Sequence, residues 1–214
     1  MVKTADLRKA LRKFFAPEIK NLNYTKISDL SWVKKSPGPF IFSIQIFPSN
    51  SGGYCWIEAG VHLNFVPLNS NGHQPDLTKL ETINSMFRKH LTNTLNDRTD
   101  FVYPEEVEDL ELICNYLFWA VRDQAELLFA DFKSFPEPFD SITINDLKNK
   151  KSYYGFHFGN EIIEALEIAR INLYLGKKEE AVEFSNYGLS LIEGLRGSAL
   201  IPQLEKIKQG ELYI

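Results

Sequence analysis

The chain has 214 residues, 44% of them hydrophobic and 13% aromatic, with a formal charge of -4. A chain of this length buries roughly 70% of the surface its unfolded form exposes, enough for one large domain or a domain with a helical annex but not for two enzyme-sized units. The composition excludes a disordered chain, and the mild acidity argues against general nucleic-acid binding, whose affinity comes largely from cations that neutralise phosphates.

The first predicted element is a helix from about Thr4 to Phe15, in which Leu7, Ala10, Leu11, Phe14 and Phe15 recur at three-and-four spacing and Thr4 stands where a cap is needed. The cations around it, Lys3, Arg8, Lys9, Arg12, Lys13 and Lys20, sit at spacings expected for its wet face; a patch for an acidic partner is the alternative. After Pro17, the segment from Tyr24 to Lys35 fits a first strand leading to the turn Ser36-Pro37-Gly38-Pro39.

Phe40 to Val66 carries the strongest hairpin signal: two runs of alternating character flank the turn Pro48, Ser49, Asn50, Ser51, Gly52 and Gly53. With the preceding strand it predicts a three-stranded meander covered by the first helix. Period-two alternation assigns Cys55, Ile57, Ala59, Val61, Leu63 and Phe65 to the core face. Tyr54, Trp56, Glu58, Gly60, His62 and Asn64 point the other way, an amphipathic set fit for an open face or one covered by polar contacts.

A polar loop from Asn69 to Gln74 precedes a helix capped by Asp76, with apolar positions Leu77, Leu80, Ile83, Phe87, Leu91 and Leu95. Phe101 to Tyr103 reads as a short strand at the sheet edge. Pro104 then opens the longest helix, to about Phe132, with Glu105, Glu106, Glu108, Asp109 and Glu111 in its first two turns. Those acids suit the helix dipole, or alternatively form a surface for a basic partner. Apolar residues wrap more than one face of this helix, which predicts burial between the sheet and the carboxy-terminal region.

Thr143 to Asp146 resembles a capping box, and the basic run Lys148 to Ser152 divides a sheet-and-helix core, 1–147, from a helical region, 148–214, packed on it as one cooperative unit. There Asn160 caps a helix that Gly176 ends, a second runs from Lys177 to about Glu193, and a last from about Ser198 to Gln209. The connection LYLGKKEEA is similar to the turn of one tetratricopeptide unit, and one unit is not an array. The expected class is α+β: an antiparallel three- to four-stranded sheet covered by helices, followed by a helical hairpin region.

Motifs for phosphate loops, dinucleotides, nucleophile elbows and paired metal ligands are missing from the sequence, and no cofactor or metal is expected. Cys55 and Cys114 read as buried free thiols in a reducing compartment. With no secretory leader and no 18-residue apolar run, the expected location is cytoplasmic and off the membrane. Trp56, Glu58, His62 and Asn64 share one strand face and could serve as a protein-binding surface, as an acid-base site, or as plain surface.

The segments LRKALRKFF, SWVKK, FIFSIQIF, YCWIEAGVHLNF, FADFKSFPEPFDSITINDL and IARINLYLGKKEEA resemble, over most of the chain, the bacterial domain-of-unknown-function family 4304. That resemblance implies kinship in size, charge and gene company with immunity proteins that neutralise toxins of bacterial competition, and carries over no residue-level site. The expectation is a non-enzymatic module that occludes a toxin through acidic groups such as Glu105, Glu106, Glu108 and Asp109 and through aromatic anchors, with oligomeric state open. Its rival is a small-molecule-binding or hydrolytic protein using the Trp56, Glu58, His62 face, and a structural subunit with a large apolar patch is a third reading.

Overall fold

The computed structural model describes residues 2–36, 38–67, 85–157 and 159–211. Its centre is an antiparallel sheet in the order β1-β2-β3-β4-β5, with β6 also paired to β4. Two long helical segments cover the core face of that sheet, and further helices follow in the chain. The fold is therefore α+β, and among the described residues the sheet has six strands where patterning suggested three or four.

Helix α1 (Thr4–Ala10) continues through a π-helical turn, Leu11–Phe15, into α2 (Ala16–Asn21). The helical segment thus passes Phe15, its predicted end, and runs over Pro17. The missing N–H of that proline falls where the wider turn already interrupts the regular ladder. Lys3, not Thr4, holds the cap position, and its N–H donates to Asp6 Oδ2 at 3.1 Å. Leu7, Leu11, Phe15 and Ile19, spaced by four, are fully buried, and Phe15 meets Trp32 edge-on with centroids 4.9 Å apart.

The single strand expected from Tyr24 to Lys35 is two, β1 (Thr25–Ser28) and β2 (Ser31–Lys35). Local side-chain bonds fold them apart: Ser28 Oγ accepts the Leu30 N–H at 3.2 Å, and Lys26 Nζ reaches Asp29 Oδ1 at 2.6 Å. The pairing is irregular between Lys26 and Ser28. The hairpin β3 (Phe40–Pro48) and β4 (Tyr54–Leu63) forms with register from Phe40↔Leu63 to Pro48↔Cys55. Gly52 and Gly53, at φ +76° and +82°, supply the left-handed backbone of its turn.

Strand β5 (Phe87–His90) lies where the helix from Asp76 was expected to run on to Leu95. Residues 76–84 of that helix and the loop from Asn69 to Gln74 lie outside the described residues. Phe87, Leu91 and Leu95 satisfy a helical spacing, and Phe87-Arg88-Lys89-His90 alternates in burial but not in apolar and polar character. Pairing of Val61↔Phe87 through Glu58↔His90 meets the free side of β4 and leaves Phe87 with no exposed surface. Beyond β5, Arg88 and His157 exchange backbone bonds of 3.0 and 3.1 Å. Strand β6 (Asp100–Val102) pairs with Tyr54–Trp56.

The longest helical segment starts later than Pro104. Tyr103 donates its N–H to the Gly53 carbonyl at 2.8 Å and prolongs the extended chain, Glu106 is itself extended, and a 3-10 turn spans Val107–Asp109. Helix α3 (Leu110–Ala120), a π-helical turn at Val121–Ala125 and α4 (Glu126–Phe129) follow. Leu112, Trp119 and Leu127 are exposed, so this segment leaves one side in solvent although apolar residues on more than one face predicted burial between the sheet and the carboxy-terminal region.

Helix α5 (Ile144–Lys148) has the capping box: Thr143 Oγ1 accepts the Asp146 N–H at 3.2 Å and Asp146 Oδ2 accepts the Thr143 N–H at 2.9 Å. Helix α6 (Glu161–Tyr174) is capped by Asn160, and Gly176 at φ +78° turns the chain into α7 (Lys178–Ser190). A 3-10 turn, Ser198–Leu200, leads to α8 (Ile201–Lys208). Gly188 permits the close meeting of these helices, since a Cβ there would stand 3.4 Å from Ala165 and 3.0 Å from Leu204. One cluster of buried apolar side chains extends from Val2 to Ile207, so sheet and late helices share a core. Cys55 and Cys114 are free thiols inside it, pushed up to about 12 by burial.

Candidate functional site

The face of β4 away from the core is divided by burial. At the hairpin end Trp56 stands opposite Phe47 and Asp100, and Tyr54 opposite Val102. The Phe47 and Trp56 rings lie 5.9 Å apart and nearly parallel, with Tyr54 next at 6.1 Å. Tyr54 is 36% and Val102 53% exposed, so an aromatic strip ends in an open apolar pair. The chain then leads within three residues to Glu105, which lines a shallow depression with Val2, Gly53 and Val102. Glu106, Glu108 and Asp109 follow, all exposed.

Midway along β4, Glu58 is half-buried between Gln45 and His90, with its carboxylate 4.0 Å from His90 Nε2. Burial pushes its carboxyl up, against the pull of Arg88 and His90. His62 has no exposed surface. Its Nε2 lies 2.8 Å from the Val66 carbonyl, which can only accept, so Nε2 carries the proton. Burial, with a smaller push from Arg170, lowers its pKa to about 4, and the Val66 bond opposes them. Asn64 is exposed past the end of β4, its N–H donating to the Pro39 carbonyl at 2.8 Å. The alternation that grouped Trp56, Glu58, His62 and Asn64 is correct for the strand, but the imidazole is sealed and only Trp56 and Glu58 remain together near solvent.

A second feature went unread in the sequence. A cavity of about 520 Å³ lies between β5, the amino end of α6 and the turn before α8. Glu164, Glu167 and Arg170, at successive three-residue steps of α6, line it and are 5%, 7% and 6% exposed. Burial pushes Glu164 up to about 7, helped by Glu161 and opposed by Arg88 and Lys150. Glu167 is pushed up to about 8 by burial, against the pull of Arg170. Arg88 enters from β5 across Gly159, where a Cβ would stand 2.3 Å from its Nη2. In the sequence the three charges look like the wet stripe of an amphipathic helix, and only the folding of residues 85–88 and 196–200 over them shows otherwise.

Comparison of the chain with protein-family models, with curated proteins and with solved structures yields no match. Among the described residues no helix is long and apolar enough to cross a membrane. What the geometry offers is an open aromatic and acidic edge able to dock a macromolecule, and a separate charged cavity of small-molecule size.

Proposed function

We propose that the chain is a non-enzymatic protein-interaction module that binds and occludes a basic partner, in the manner of an immunity protein acting on a bacterial toxin in the cytoplasm. The observation that carries this reading is the exposed Tyr54–Val102 pair running into Glu105, Glu106, Glu108 and Asp109. Aromatic groups with acids at their rim have the make-up of an interface whose centre supplies dwell time and whose edge steers a cationic partner. Kinship with family 4304 is itself part of this proposal and names the toxin as the partner, and the region after Lys148, taken as a helical hairpin with one tetratricopeptide-like turn, is scaffold. The rival small-molecule or hydrolytic use of Trp56, Glu58 and His62 is weakened because the imidazole of His62 faces no solvent.

The test is co-expression with the product of each neighbouring gene of its host that arrests growth when expressed alone. Protection of the cells is expected, with loss of protection in a Tyr54→Ser, Val102→Asp, Glu105→Lys variant that still melts like the parent. Absence of protection, or protection untouched by that variant, overturns the reading.

A further inference from the structure

We infer that the cavity between β5, α6 and the turn before α8 binds a small zwitterion with an apolar side chain, an amino acid or a dipeptide. This site is separate from the aromatic and acidic edge and does not depend on it. The volume, about 520 Å³, lies within the range of small-ligand pockets.

The first observation is an unmet acceptor. Glu164 is 5% exposed on the cavity wall, and its buried Oε1 has no hydrogen-bond partner. A buried carboxylate oxygen without a donor is uncommon and costs stability unless something else supplies the donor. A ligand ammonium does so once the Glu164 carboxyl turns to the cavity and ionises against the burial that otherwise keeps it protonated. Glu167, one helical turn further along the same wall and ionising likewise, adds to the attraction. The second observation is the opposing charge. Arg88 lies against Gly159 at the amino end of α6, and Arg196 lines the cavity from the turn before α8. Two guanidinium groups and the positive end of a 14-residue helix together favour a carboxylate.

Neither charge alone fits. A simple amine would face Arg88, Arg170 and Arg196, and a simple carboxylate would face Glu164 and Glu167. A bare cation meets the same three arginines. A zwitterion places each end against its complement, and the remaining walls, Met86, Leu166 and Leu200, accept an apolar side chain.

The experiment is calorimetric titration of the full chain with L-leucine and L-leucyl-L-leucine, beside isopentylamine and 4-methylpentanoate, which keep the side chain and lose one charge. At least one zwitterion is expected to bind, with both single-charge analogues weaker by about tenfold or more, the cost of losing a charged hydrogen bond. Glu164→Gln and Arg88→Ala should each weaken the zwitterion by about tenfold. Ala199→Trp, which fills the cavity from its lip and leaves every charge in place, should abolish binding. Failure of both zwitterions to bind, an analogue that binds as tightly, or binding unchanged in Ala199→Trp would overturn the assignment. Melting curves of each variant establish that it is folded.

Discussion

Lys34 and Glu126 form an ion pair of 2.5 Å that joins β2 to α4, and Tyr24 completes it by donating its hydroxyl to Glu126 Oε1 at 2.7 Å. The Lys34 ammonium also lies 4.8 Å from the centre of the Tyr24 ring. Two side chains from the β1–β2 region and one from about 90 to 100 residues later thus tie the long helical segment to the sheet, and burial with the nearby carboxylate pushes the Tyr24 phenol well above its usual range. Glu126→Ala leaves a part-buried ammonium and a buried hydroxyl without their acceptor. Urea denaturation should show a loss of about 2 kcal/mol, and Glu126→Gln, which keeps an acceptor for Tyr24, should lose less.

Gly60 has no room for a side chain. A Cβ there would stand 2.3 Å from Ser85 Oγ and 2.6 Å from Ser43 Oγ, which are themselves 2.7 Å apart and bonded. Gly60→Ala should therefore destabilise by about 2 kcal/mol through overpacking. Ser85→Gly opens space on one side, so the double variant should lose less than the sum of the two single losses. Strict additivity in a denaturation series would show that the crowding is relieved some other way.

His62 makes the protein sensitive to acid. Its pKa falls from 6.5 to about 4 on folding, so between those values the unfolded chain binds the extra proton. Stability from this group is complete above pH 6.5 and drains away as pH drops toward 4. The expected loss is about 2–3 kcal/mol across that interval. His62→Gln, which can still donate to the Val66 carbonyl, should flatten the dependence when denaturation midpoints at neutral and mildly acidic pH are compared.

Glu164 works in the opposite direction. Its pKa rises from 4.5 to about 7, so here the folded chain holds the proton more tightly and stability falls as pH climbs through that window. Glu164→Gln should remove a decline of about 1–3 kcal/mol and make the chain relatively more stable at pH 8. An identical pH profile in the variant would mean that the carboxyl is solvated.

The hairpin, both caps at Thr143 and Asn160, and the left-handed end at Gly176 were legible because each rests on residues close together in sequence. Alternation along β4 was equally plain, since it follows from strand geometry. What alternation does not contain is what lies above each face, and so it grouped His62 with Trp56 although one is sealed and the other half open. Phe87 shows a different limit. Its spacing to Leu91 and Leu95 matches a helix, and pairing with β4, a partner 26 to 32 residues earlier at Phe87↔Val61 and His90↔Glu58, overrides it. The cavity on α6 was hidden for the same reason. Glu164, Glu167 and Arg170 follow ordinary helical spacing, and their burial depends on segments about 76 residues before and about 30 after them.

The two margins of the sheet bear on how this molecule meets others. β1 is four residues long, irregular at Lys26 and Ser28, and Lys26 is held in an ion pair with Asp29. On the opposite margin the backbone of Arg88 is already bonded to His157. Among the described residues, then, neither margin presents a long flat row of free amides and carbonyls, and a foreign strand finds little template for joining the sheet. The protein should resist fibrillar growth from its native state, and whatever recognises it must read side chains rather than extend its backbone ladder.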